Sequence, residues 1–134
     1  MYSHITIGSR DFVRARAFYD AVFPVIGWKR FFESEELGAL GYSENPPRPP
    51  QFWVLKPIDG KPASVGNGIT IAFEVMERAH VDAFHKAALA AGASDEGAPG
   101  LRPHYHRNYY GAYVRDPDGN KLCVVCHHRQ KAAA

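Results

Sequence analysis

The stretch His4-Ile-Thr-Ile-Gly-Ser-Arg-Asp11, with the helical run that follows it to Phe23, is spelled again in outline from Thr70 to Leu89. Setting His4 against Thr70 aligns Ile5 with Ile71, Ile7 with Phe73, Asp11 with Glu77, Ala17 with Ala83, Phe18 with Phe84 and Ala21 with Ala87, without a gap. Each copy opens on a short β-branched run, passes through an amphipathic helical stretch and meets a glycine, Gly27 or Gly92, before strand-like segments follow. A shared order of elements at a fixed offset is the signature of an internal repeat. Two such units leave a pseudo-twofold cleft between them, and clefts are where ligands bind.

Working outward from these copies, Tyr2 to Gly8 alternates as a strand, and Asp11 caps a helix to about Phe23 that Pro24 and Gly27 end. Trp28 to Glu33, Ala39 to Tyr42 and Gln51 to Lys56 read as three strands, with Asn45 to Pro50 an extended, proline-rich connection. In the second half Ile69 to Val75 is a strand and Ala79 to Ala91 a helix. Gly97 to Arg107 is a loop, and Tyr109 to Arg115 and Lys121 to Cys126 are the last strands. Asp116-Pro-Asp-Gly119 joins those two as a hairpin turn, since proline fixes φ and glycine accepts the left-handed conformation. The pattern predicts an α+β fold of two tandem β-α-β-β-β modules forming a curved sheet around a cleft. At 134 residues a single domain over 1–134 is expected, with modules 1–57 and 68–128 joined by a loop 58–67. The second helix is expected to lay a small-residue face, Ala83, Phe84, Ala87, Ala88 and Ala91, on its sheet.

A formal net charge of +2, with both signs interspersed, gives nucleic-acid binding little support. No apolar run approaches the about 18 residues of a membrane span, and the start lacks the pattern of a secretory signal. A cytoplasmic protein that binds neither nucleic acid nor membrane is expected. Cys123 and Cys126 fall three steps apart on one strand, where their Cα atoms are about 10 Å apart and their side chains point oppositely. A disulfide between them is thereby excluded, since it needs Cα atoms within about 7 Å.

Strand parity sorts the side chains further. Ile5 and Ile7 share a face with the helix, leaving His4 and Thr6 on the other; Thr70, Ala72 and Glu74 likewise oppose Ile71, Phe73 and Val75. Cys123, Val125 and His127 share a face of the last strand. His4, Thr70 and Cys123 are thus candidate pocket residues, with Trp53 and Tyr113 candidates for its walls. Before the strand at Tyr109, the cluster Arg102, His104, His106 and Tyr109 suits an anionic or oxygen-rich ligand, because guanidinium grips carboxylate or phosphate bidentately. The helical His80 and His85 and the terminal His127 and His128 read as surface residues.

The duplicated order, the opening His4-Ile-Thr-Ile with Arg16-Ala-Phe-Tyr19, the strand Gly68-Ile-Thr-Ile-Ala-Phe73 and the closing Asp116-Pro-Asp-Gly-Asn120 together resemble the vicinal oxygen chelate superfamily. Glyoxalase I, bleomycin and fosfomycin resistance proteins and extradiol dioxygenases belong to it. The resemblance implies a homodimer and, in the metal-dependent branches, a divalent ion (Zn, Ni, Mn or Fe) held by the first and last strands of each repeat. It places His4 at the first-strand ligand position, Thr70 where a histidine is usual and Cys123 where a glutamate is usual. The strand Gln51 to Lys56 offers no carboxylate. A catalytic zinc site uses three protein ligands. The expectation is therefore a small-molecule-binding protein of the bleomycin resistance type with a degenerate metal site. The alternative is a metal-dependent glyoxalase-like lyase or isomerase, or a dioxygenase, with the ion at His4.

Overall fold

The computed structural model describes residues 1–130. The first strand, β1 (His4–Gly8), leads into helix α1 (Phe12–Val22), whose N-cap Asp11 side chain accepts the Arg14 amide at 3.0 Å. The buried residues Ala15, Phe18, Tyr19 and Val22 recur at three and four, so one stripe of the helix meets the sheet. The α-helix ends at Val22, within one residue of the expected Phe23, and the chain continues through Pro24 to Gly27 as expected for its end. Pro24 sits at the start of a 3-10 turn (Phe23–Ile26), where its missing amide hydrogen costs nothing, and Gly27 at φ 81° makes the left-handed exit.

Strands β2 (Lys29–Ser34), β3 (Ala39–Ser43) and β4 (Gln51–Leu55) complete a sheet in the order β1-β4-β3-β2. The first and last strands, β1 and β4, run parallel and the other pairs antiparallel. The proline-rich link before β4 is a turn rather than extended chain, closed by the Arg48 amide on the Asn45 carbonyl at 2.8 Å.

The second module repeats this plan. It comprises β5 (Ile71–Glu74), α2 (Arg78–Ala90), β6 (Ser94–Leu101), β7 (Tyr110–Arg115) and β8 (Lys121–Cys126), ordered β5-β8-β7-β6 with β5 parallel to β8. The loop expected from Gly97 is therefore in part strand β6. Its alternation is broken by two register shifts around Gly97 and by Pro99, features an edge strand tolerates. The α2 face also differs from expectation: Val81, Phe84, His85 and Ala88 are buried, while Ala83 is exposed. His85 is only 8% exposed and bonds the Asp95 carboxylate at 3.0 Å, so it is not a surface residue.

Both helices cover one face of their sheets, and the two modules share one core. Phe23 packs on Phe52 and Phe73, and Trp28 on Phe73, at ring distances of 5.2–5.4 Å. Each fully buried phenylalanine contributes about 1.5–3 kcal/mol of burial free energy. No helix among the described residues is long and apolar enough to cross a membrane.

Candidate functional site

The face of each sheet that carries no helix presents one row of cross-strand partners. In the first sheet the row runs Thr6, Trp53, Gly41, Phe32 across β1, β4, β3 and β2. In the second it runs Ala72, Cys123, Tyr113, Gly97 across β5, β8, β7 and β6. The alternating set beneath, including Ile7, Phe52, Val54, Phe73, Leu122 and Val124, is the buried core. Strand parity thus sends hydrophobic bulk to the helices and leaves a polar and aromatic floor facing outward.

Three adjoining depressions lie on this floor. One, of 1050 Å³, is walled by Phe32, Leu37, Trp53 and Ile58 and reaches Thr6, Gly8 and Ser64. A second, of 610 Å³, lies along the seam between β1 and β5 and shares Thr6, Gly8 and Ser64 with the first. It shares Thr70, Ala72 and Lys121 with a third, of 330 Å³, lined also by Tyr105, Tyr109, Tyr113 and Cys123. Together they form one trough across both modules.

At the first end, Trp53 lies on Gly41, where an added Cβ would stand 2.9 Å from the indole. Its Nε1 donates to Gln51 Oε1 at 2.9 Å. A register shift between Arg30 and Phe32 lets two successive residues, Phe31 and Phe32, both meet the indole, at 5.5 and 5.3 Å.

At the other end the hydroxyls of Tyr109 and Tyr113 are 2.8 Å apart, and Tyr109 Oη is 3.6 Å from Cys123 Sγ. Lys121 Nζ and the Arg102 guanidinium lie 5.4 and 5.8 Å from the centre of the Tyr113 ring. Burial pushes the Tyr109 and Tyr113 phenols upward, so both keep their protons. It also raises the Cys123 thiol, although the two phenols and the two cations pull the other way. A buried, protonated thiol is a poor nucleophile and a poor ligand.

Thr70, Tyr109, Tyr113 and Cys123 line the same depression, whereas Trp53 lies at the opposite end of the trough. His4 is exposed at the start of β1, bonded through Nδ1 to the Ser3 hydroxyl at 3.0 Å, two residues from the trough residue Thr6. Arg102, His104 and His106 lie outside the lining of the third depression. Arg102 donates to the Ala98 carbonyl at 2.9 Å and packs over Gly97 and Gly100. His106 bonds His127 at 2.8 Å, and His104 packs on Tyr105. Tyr105, interleaved with the Arg102 to Arg107 cluster, lines the depression, and so does Lys121, which the motifs alone do not single out. Lys121 shares the parity of Cys123 and could have been found by it.

Among the described residues no group of three or more His, Cys, Asp or Glu side chains converges as a metal site. The donor set at the matching positions is one imidazole, one hydroxyl and one buried thiol. It does not fit a divalent centre of the oxygen-rich kind.

The sequence profile of the Glyoxalase/Bleomycin resistance protein/Dioxygenase superfamily matches residues 2–124. No curated protein matches the chain. Among solved structures, a glyoxalase/bleomycin resistance protein from Albidiferax ferrireducens T118 is 36% identical with a TM-score of 0.82, over 94% of this chain and 98% of that one. Fosfomycin resistance protein FosX from Mesorhizobium loti shares the fold at 19% identity and TM-score 0.65, over 94% and 91% of the two chains. A lactoylglutathione lyase from Agrobacterium tumefaciens does so at 20% and 0.64, over 93% and 92%. Profile, topology and open-faced trough agree, and the chain belongs to the Glyoxalase/Bleomycin resistance protein/Dioxygenase superfamily.

Proposed function

We propose that this chain is a small-molecule-binding member of its superfamily, holding a ligand along the trough without a resident metal ion. The observation that carries the reading is the continuity of the three depressions, which share residues at both junctions and run from the Trp53 wall to the Tyr113 end. Concave, largely apolar sites with a few convergent polar groups are the usual form of a small-molecule site. The donor chemistry supports the metal-free part, because a hydroxyl and a buried thiol replace the ligands that an oxygen-chelating ion would need. A homodimer belongs to the same proposal, since β2 and β6 are edge strands whose unpaired groups a second copy would cover.

The test is metal analysis of protein purified without a histidine tag. Well under one equivalent of Zn, Ni, Mn or Fe is expected, with ligand binding unchanged by chelator. Stoichiometric metal that disappears in His4→Ala would instead establish a metalloenzyme with a ligand shell completed from elsewhere. Light scattering at high concentration tests the dimer.

A further inference from the structure

We propose that the Tyr109, Tyr113 and Lys121 end of the trough is an oxyanion subsite, which takes the carboxylate, phenolate or enolate oxygen of a small aromatic or conjugated ligand. The inference deepens the trough reading and rests on it.

Proton counting leads there. The two phenols are 2.8 Å apart, so one hydroxyl donates to the other. Whichever is the donor, one phenolic proton remains, and among the described residues the only further acceptor beside either hydroxyl is Cys123 Sγ at 3.6 Å, a weak one. The pocket therefore holds a surplus donor. Around it stand Lys121, which lines the depression, and Arg102, whose guanidinium lies over the Tyr113 ring. Neither cation takes part in an ion pair among the described residues, and no carboxylate lines the depression. An unpaired positive field and a free hydroxyl proton, with no anion among the described residues of the lining, are complementary to a negatively charged oxygen.

The walls set the rest of the ligand. Tyr105 is 60% exposed and lies 4.9 Å from the Tyr109 ring, offering an aromatic surface beside the donors. Thr70 and Ala72 lead from the subsite into the seam. An oxyanion at Tyr113 with a flat body against Tyr105 and Ala72 satisfies both the surplus proton and the apolar surface. A phenol pair that keeps its protons can donate hydrogen bonds to such an oxygen without passing it a proton.

Benzoate and the neutral benzamide are the probes, titrated against the full chain by NMR with backbone amide shifts followed. The wild-type protein is expected to bind benzoate about tenfold or more tightly than benzamide, the scale of one charge-assisted hydrogen bond. Lys121→Met, and separately the pair Tyr109→Phe with Tyr113→Phe, which removes both hydroxyls, should each abolish most of that preference, with a dispersed amide spectrum reporting that the variants are folded. Equal binding of the two probes by the wild type, or a benzoate preference that survives when Lys121→Met is combined with Tyr109→Phe and Tyr113→Phe, would overturn the subsite. Shifts at Thr70 and Ala72 without charge preference would leave the trough reading standing; no shifts there with either probe would sink both.

Discussion

The Tyr19 hydroxyl donates to Asp116 Oδ2 at 2.5 Å, tying the first helix to the turn before the last strand across 97 residues of chain. Both groups are buried, Tyr19 at 1% and Asp116 at 4% exposure. The carboxylate also accepts the amides of Asp118 and Asn120 and the Asn120 side chain. Asn120 reaches on to the Gly8 carbonyl, so the turn is fastened to β1 as well. Removing the hydroxyl in Tyr19→Phe leaves a buried charged oxygen short of one donor. A loss of about 1.5–3 kcal/mol in urea denaturation is expected. A neutral result would mean that the clasp is replaced by water.

Asp118, in the same turn, predicts how stability responds to acid. Burial would raise its carboxyl, but the Ser9 hydroxyl, the Arg10 amide and the Arg14 guanidinium outweigh that and hold it below its ordinary value. A carboxyl depressed in the folded state stabilises the fold above its unfolded pKa of about 4, and the benefit disappears as pH falls through the lower folded value. Urea midpoints should therefore decline as the pH drops below about 4, and Asp118→Asn should flatten that decline. An unchanged profile in the variant would show that other carboxylates dominate.

Gly41 bears on the aromatic end of the trough. A Cβ there would meet the Trp53 ring at 2.9–3.1 Å, so Gly41→Ala must lift the indole off the sheet. Overpacking of this kind costs about 1–3 kcal/mol. In a Trp28→Phe background, Trp53 fluorescence should shift and ligands that use this wall should bind more weakly. An unaltered spectrum would indicate that the sheet itself yields instead.

The residues that reported on the fold are those whose role is local. The Asp116 to Gly119 turn is as its dipeptides imply, with Gly119 at φ 97° and its amide on the Asp116 carbonyl at 2.8 Å. Parity on β8 separates Cys123, on the open face, from Cys126, in the core. Parity could equally have selected Lys121. What escaped was decided at a distance. Strand β6 exists because β7 pairs with it despite Gly97, Pro99 and Gly100. His85 is buried because Asp95 arrives beside it from the next strand. The glycines of β6 leave a shelf on which Arg102 lies against Tyr113, a placement that the sequence around Arg102 does not contain. Side-chain direction in a loop depends on what the neighbouring strand leaves empty, and no local pattern encodes that.

The two cysteines give the last prediction. Both are free and 1% exposed: Cys126 packs in the core, and Cys123 lies under Tyr109 with its thiol held up by burial. Thiol reagents attack the thiolate, so a site that is both closed and protonated reacts slowly. In native protein at mildly alkaline pH neither cysteine should react appreciably with a disulfide reagent, whereas both should react in denaturant. Tyr109→Ala opens the cover over Cys123 alone. One thiol should then become reactive, with Lys121 and Arg102 close enough to favour its anion. If Cys123 already reacts in the native wild type, the tyrosine pair opens in solution and the oxyanion subsite loses its fixed donors. If it stays silent in Tyr109→Ala, Tyr113 rather than Tyr109 provides the cover, and Tyr113→Ala should release it.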